Sequence, residues 1–106
     1  MTKTIRVGCA SGFWGDSYIA APQLIERGNI DYLVFDYLSE ITMSIMARAM
    51  AKDPNAGYAI DFVSVTMASI ARDLAAKKIK VIANAGGVNP RACAAALEAL
   101  LAKLGV

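Results

Sequence analysis

The chain contains no histidine, and this absence removes a residue on which many active sites depend. Without it there is no Ser-His-Asp triad, no imidazole general base and little scope for a zinc site. There are only two cysteines, Cys9 and Cys93, and no secretion signal, so we interpret both as reduced thiols that pack as small buried side chains. No apolar run approaches the roughly 20 residues of a membrane span.

Charged residues are also scarce. They make up 19% of the 106 residues, whereas 57% are hydrophobic. A chain of this length forms one domain with an apolar core, but so little charge predicts that self-association or a partner chain covers part of its apolar surface. The net charge of +2 is too small to indicate nucleic acid or an anionic membrane as a partner. We therefore expect a cytoplasmic protein that binds neither nucleic acid nor membrane.

Hydrophobic patterning predicts an α/β fold with a small parallel sheet of about three strands and crossover helices. The order of elements, β-α-β-α-α-β-α, fits either a Rossmann-like layered sheet or part of a barrel-like unit. The predicted strands are 4–9, 32–35 and 79–83, and the predicted helices are 17–27, a stretch after Ser39, 61–77 and 90–104. The second strand is a continuous apolar run of the kind that is buried on both faces.

The helix predicted over 61–77 has a competing interpretation. Val63, Met67, Ile70 and Leu74 recur at helical spacing, with Asp61 as a candidate N-cap, but residues 60–65 also alternate like a strand. The helix is favoured because its pattern continues for longer. The apolar side chains expected to face the core from the first two helices are Ile19, Leu24, Ile25, Ile41, Ile45, Met46 and Ala49.

Ligands of parallel α/β folds gather at the carboxyl ends of the strands, and three corners of this chain are predicted to lie there. The first corner is the glycine-rich segment 8–17, whose backbone could approach a ligand closely. Its spacing matches neither the dinucleotide-binding fingerprint nor the P-loop. Asp16 or Ser17 either only caps the next helix or contributes to a ligand site. The predicted contacts are Gly12, Trp14, Gly15, Asp16 and Ser17.

The second corner follows the second strand and carries two carboxylates, Asp36 and Glu40. Either could act as a catalytic acid or base. Together with Asp16 they could instead bind a hard cation such as Mg²⁺. In the purely structural alternative, Asp36 belongs to a turn and Glu40 stabilises a helix N-terminus. Of the two functional roles we favour proton transfer, and we assign neither a metal ligand nor a cofactor.

The third corner precedes the last helix. Asn89 as N-cap and Pro90 as the first helical residue explain a sharp helix start without any ligand. They do not explain the glycine pair before them or Arg91, whose charge opposes the helix dipole. Arg91 either points to solvent or forms an anion cradle for a carboxylate or phosphate, and we favour the cradle. The predicted contacts are Asn84, Gly86, Gly87, Asn89 and Arg91.

Four blocks of the sequence, 10–17, 31–45, 51–63 and 83–97, resemble the acyclic terpene utilisation (AtuA-type) family of bacterial catabolic proteins. Members of that family are several hundred residues long, so the resemblance implies that this chain corresponds to an N-terminal portion. It also implies a cytosolic protein in the breakdown of branched terpenoid acids through CoA thioesters, with a small acidic or CoA-linked substrate. The resemblance identifies no reaction and no catalytic residue.

Two classes of function therefore stay open. In the first, the three corners form part of an enzyme pocket in which Arg91 binds the anionic part of the substrate and Asp36 or Glu40 transfers protons. In the second, the chain is a non-catalytic assembly module, or an inactive fragment that needs a partner chain. The first requires that the three corners share one rim of a common sheet. The second requires an apolar surface that the chain itself leaves uncovered.

Overall fold

A computed structural model of the protein describes residues 2–106 and has the predicted α/β architecture. Three parallel strands lie side by side in chain order, and four α-helices accompany them. A π-helical segment, Phe62–Met67, leads directly into the third helix. The strands are β1 (Val7–Ser11), β2 (Tyr32–Phe35) and β3 (Lys80–Ala83), and the helices are α1 (Ala20–Arg27), α2 (Glu40–Lys52), α3 (Ala68–Lys77) and α4 (Pro90–Leu104).

The hydrophobic core lies on one face of this sheet. Gly8, Leu33 and Val81 are neighbours across the three strands, and Leu33 is completely buried. Helices α1, α3 and α4 pack together with the π-helical segment on the same side. No helix within residues 2–106 combines the length and apolarity that a membrane span requires.

The opposite face of the sheet is bare. The second set of cross-strand neighbours is Cys9, Val34 and Ile82, of which Cys9 is exposed, Val34 is half-buried and Ile82 is 56% exposed. Two predictions are therefore wrong: β2 is not buried on both faces, and Cys9 is not a buried thiol. Both fail for one reason, because every helix that packs on the sheet lies on its other side. Cys93 is buried as predicted, and its burial raises the pKa of its thiol.

Helix α1 begins three residues later than predicted. The side chains expected to cap it are used in the preceding loop, where Asp16 accepts hydrogen bonds from the N–H groups of Gly12 and Ser17. The Ser17 hydroxyl accepts one from the N–H of Ile19. Ile19 itself occupies the N-cap position without a capping side chain and is exposed, so its predicted place in the core is wrong.

Helix α2 begins as predicted and packs differently. Ser39 is its N-cap and accepts a hydrogen bond from the N–H of Thr42. Ile41 and Ile45, which we expected in the core, are instead exposed, Ile41 by 75%. Helix α2 contacts the glycine turn before α4 through the side chain of Met46 and does not pack along the sheet. Only a narrow stripe of its surface is therefore buried.

The favoured helical interpretation of the segment after residue 58 is confirmed. Helix extends from residue 60 to residue 77, and all four periodic apolar side chains are buried, namely Val63, Met67, Ile70 and Leu74. Its first half is π-helical, which sequence periodicity did not indicate. The expected N-cap role of Asp61 is wrong, because its side chain makes no capping hydrogen bond and bonds to the loop after β1.

The glycine turn before α4 generates a stability prediction. Gly87 has a left-handed φ of +55°, and a β-carbon there would overlap the Met46 sulfur and lie 2.7 Å from the Gly57 carbonyl oxygen. Gly105 also has a positive φ, of +73°, but a β-carbon there would meet nothing within 4 Å. We expect Gly87→Ala to lower the free energy of unfolding by about 2–4 kcal/mol, and the control Gly105→Ala by about 1 kcal/mol. Urea denaturation measures both, and equal losses would contradict the packing explanation.

Candidate functional site

The three corners predicted from the sequence meet at one edge of the sheet. The side chain of Asn84, just after β3, joins them, since its Oδ1 accepts a hydrogen bond from the Tyr37 N–H at 2.8 Å. Its Nδ2 donates to Oδ1 of Asp36 at 2.9 Å. The N–H of Asp36 in turn donates to the carbonyl oxygen of Ser11 at 3.3 Å and to its hydroxyl at 3.2 Å. The loops after β1, β2 and β3 therefore form one continuous rim.

The loop after β1 binds its own carboxylate. Asp16 accepts hydrogen bonds from the N–H groups of Gly12 at 2.9 Å and Ser17 at 2.8 Å. These two bonds, that from Gly12 first, lower the pKa of Asp16. The N–H groups of Gly12 and Ser17, two of the predicted ligand contacts, are thus satisfied within the loop. A hydrogen bond from the N–H of Trp14 to the Tyr37 carbonyl oxygen, 3.2 Å long, attaches the loop to the corner after β2.

A second contact fastens the same loop to the helix that begins at residue 60. The carboxylate of Asp61 accepts a hydrogen bond from Nε1 of Trp14 at 2.6 Å and another from the hydroxyl of Tyr18 at 2.8 Å. The bond to Asp61 raises the pKa of Tyr18. We did not assign Asp61 to the site from the sequence. Its partners lie 47 and 43 residues away along the chain, and no local pattern connects them.

A small cavity lies beneath this contact, at the carboxyl ends of β1 and β2. Its volume is about 10 Å³, which is room for about one water molecule. Tyr37 is buried there, and desolvation raises the pKa of its phenol to about 12 although the neighbouring Thr66 side chain lowers it. The lining residues are Ser11, Gly15, Asp16, Ser17, Tyr18, Ala21, Phe35, Tyr37, Asp61 and Thr66.

Comparison with known families agrees with the resemblance seen in the sequence. The model of the family described as "Acyclic terpene utilisation family protein AtuA" matches residues 5–106. The chain belongs to the acyclic terpene utilisation family. Searches of curated proteins and of solved structures returned no significant match.

Three of the residues predicted for the site have structural roles in this AtuA-family chain. A β-carbon on Gly86 would lie 2.8 Å from Cα of Pro90, and Gly87 packs against Met46. Asn89 caps α4 by accepting a hydrogen bond from the N–H of Ala92. Its Nδ2 also donates to the carbonyl oxygens of Pro54 and Ala56, and so holds the turn after α2.

Three of the four charged residues predicted at the rim lie near its solvent side. Asp36, Glu40 and Arg91 are all exposed, Asp36 directly after β2 and the other two in the first turns of α2 and α4. Within residues 2–106, no three His, Cys, Asp or Glu side chains lie close enough together to hold a metal ion. The AtuA-family rim thus presents separate charges and one enclosed hydroxyl cavity.

Because Tyr37 is buried, we expect the free energy of unfolding to decrease at alkaline pH. Its folded-state pKa of about 12 lies above the value of 10.0 expected in the unfolded chain. Below pH 10 the phenol is protonated in both states, and the free energy of unfolding keeps its full value. As the pH rises from 10 toward 12, the phenol ionises in the unfolded chain but not in the folded protein, and the free energy of unfolding decreases. We expect the free energy of unfolding to fall by about 2 kcal/mol over this range, and Tyr37→Phe to flatten that fall. Urea denaturation at pH 8, 10 and 11.5 tests this, and an equally steep fall in the variant would contradict it.

Proposed function

We propose that the rim of this AtuA-family chain forms part of a pocket for branched terpenoid-derived acids or their CoA thioesters. One observation carries this conclusion: the Asn84 side chain bonds both to the Tyr37 N–H and to Asp36, whose own N–H bonds to Ser11, so the ends of all three strands meet at one place. Ligands of parallel α/β folds bind at such an edge. Asp36 lies at this edge, and Glu40 and Arg91 lie in the first turns of the helices α2 and α4 that follow β2 and β3.

The anionic part of the substrate belongs at Arg91. The N–H groups of Gly12 and Ser17 already bind Asp16, so the loop after β1 has less capacity for a further anion. Arg91 is exposed in the first turn of α4, where the helix dipole also favours negative charge. A guanidinium fork suits the two oxygens of a carboxylate or phosphate. Arg91 therefore carries the proposed anion-binding role.

Proton transfer belongs to the corner after β2. The amide of Asn84 fixes one carboxylate oxygen of Asp36 at 2.9 Å, and the exposed carboxylate keeps further lone pairs for a substrate. Such a positioned carboxylate is suited to act as a general base on an acyl substrate. Glu40 begins α2 a few residues later and is the alternative group for the same step.

The anion-binding role can be tested by removing the charge of Arg91. We expect Arg91→Ala to weaken the binding of 3-methylbutanoyl-CoA about tenfold or more, because a charge-assisted hydrogen-bonded pair is lost. Isothermal titration calorimetry measures the affinity. Lys103→Ala is the matched control, since it removes the same charge at the opposite end of α4. Equal affinities for the two variants would eliminate the anion role of Arg91.

A second function, assembly with another chain, is supported by the bare face of the sheet. Parallel sheets are normally covered on both faces, yet here Cys9 and Ile82 are exposed and Val34 is half-buried. An apolar surface of this kind marks a contact with another protein. A second copy of the chain, a separate partner or the remainder of a longer family architecture would each provide that cover.

Self-association through this face can be tested by placing a charge on it. We expect the wild-type chain to sediment as an oligomer and Ile82→Glu to shift it toward monomer, because an unpaired carboxylate would be buried in the contact. Ile41→Glu, on the exposed side of α2, is the control with the same chemical change. A monomeric wild-type chain in sedimentation velocity experiments would rule out the second copy.

A further inference from the structure

We propose that the cavity beneath residues 12–18, here called the lid, binds the carbonyl oxygen of an uncharged ligand, with the Tyr37 hydroxyl as hydrogen-bond donor. This carbonyl site deepens the proposed function, since an acyl thioester contains such an oxygen. It does not use Arg91, and the two sites can be tested separately. The argument for it begins with the floor of the cavity.

The floor combines buried hydroxyl groups with apolar surface. Ser11 and Thr66 are 6% and 5% exposed, and Tyr37 is 5% exposed between them. The Ser11 hydroxyl already accepts the N–H of Asp36, which leaves its own proton available for donation. The ring of Phe35 packs 5.9 Å from that of Tyr37, centroid to centroid, and forms the apolar wall. Hydroxyl donors set in apolar surface are the usual composition of a small-molecule site.

The charges around the cavity select a neutral acceptor. Its lining contains no lysine or arginine, but it includes the carboxylates of Asp16 and Asp61. A ligand carboxylate would be repelled by both and would meet no cation. A carbonyl oxygen accepts a hydrogen bond without carrying a full charge. Because burial keeps the Tyr37 phenol protonated far above neutral pH, it is a permanent donor to such an oxygen.

The lid must open before a ligand can enter. The closed cavity of about 10 Å³ admits one water molecule, whereas a small ketone is many times larger. Two side-chain hydrogen bonds, from Trp14 and Tyr18, close the lid onto the single carboxylate of Asp61, and the Trp14 N–H also bonds to the Tyr37 carbonyl oxygen. Internal bonds to Asp16 keep the lid together, and Gly15 provides a left-handed φ of +94° within it. Asp61 therefore acts as a latch that the two aromatic side chains release together.

The backbone next to the latch is irregular. The π-helical segment begins immediately after Asp61 and carries Thr66 into the cavity. Phe62, Val63, Thr66 and Met67 are all buried in this segment. Isolated π-helical turns are rare and are frequent at functional sites. Within one short stretch of chain, the Thr66 hydroxyl lies in the cavity with Tyr37, and Asp61 bonds to the lid.

Trp14 is the only tryptophan of the chain, so its fluorescence reports directly on the lid. We expect titration with 2-heptanone, an uncharged ketone, to change the Trp14 emission in a saturable way. Hexanoate, an anion of similar size, should produce no saturable change. Tyr37→Phe should raise the apparent dissociation constant for the ketone about tenfold, the loss of one hydrogen bond, without altering the emission of the free protein. No response to the ketone, or an equal response to hexanoate, would overturn the carbonyl site.

Variants of the latch separate lid opening from a merely structural role. We expect Asp61→Asn to shift the emission of the free protein to longer wavelength and to tighten ketone binding several-fold, because a larger fraction of the protein is open. Asp73→Asn makes the same charge change at an exposed position on α3 and should alter neither value. Tyr18→Phe removes one latch bond from an exposed side chain and should act in the same direction if Asp61→Asn does not fold. Ketone binding that is weakened or unchanged in folded latch variants would refute the lid.

A comparison of the two sites distinguishes the failure of one proposal from the failure of the other. If the ketone binds but Arg91→Ala leaves acyl-CoA affinity unchanged, the carbonyl site stands and the anion role fails. If Arg91→Ala weakens acyl-CoA binding but the ketone gives no Trp14 response, the carbonyl site fails and the anion role stands.

Discussion

The parallel direction of the three strands decides where the polar loops of this protein meet. Parallel strands end at one edge, so the loops that follow them are forced into the same place. The side chain of Asn84 then fixes their spacing, because it holds the Tyr37 N–H and the Asp36 carboxylate at hydrogen-bond distance. Ser11 completes the junction from β1. A strand running the other way would carry its loop to the far side and separate these groups.

Along this rim, the carboxylates, the neutral hydroxyl groups and the one predicted cation, Arg91, occupy separate positions. Asp16 accepts hydrogen bonds from two backbone N–H groups and Asp61 from two aromatic side chains, so both carboxylates bond to the loop after β1. Tyr37 and Thr66 form a neutral interior beneath it. Arg91 stands outside as an exposed cation. A substrate with an anionic group and a carbonyl group could engage both regions, which is the physical link between the two proposals.

The same topology explains the bare face of the sheet. The strands follow one another in spatial order, and crossovers of the usual right hand between such strands place every covering helix on one side. The core therefore forms beneath Leu33 while Ile82 faces outward. The low charge content had indicated an uncovered apolar surface, but it did not indicate where that surface lies. Only the positions of the helices decide which face of each strand is buried.

The sequence by itself determined the local structure. It fixed the element types, the last helix with its Asn89 cap and the helical state of residues 61–77, because these depend on neighbours within a few residues. It also predicted that the three corners share an edge. Only tertiary contacts decided that Ile41 faces solvent and that Asp61 accepts hydrogen bonds from Trp14 and Tyr18 and does not cap a helix. Those outcomes depend on contacts between residues distant along the chain, which no local pattern encodes.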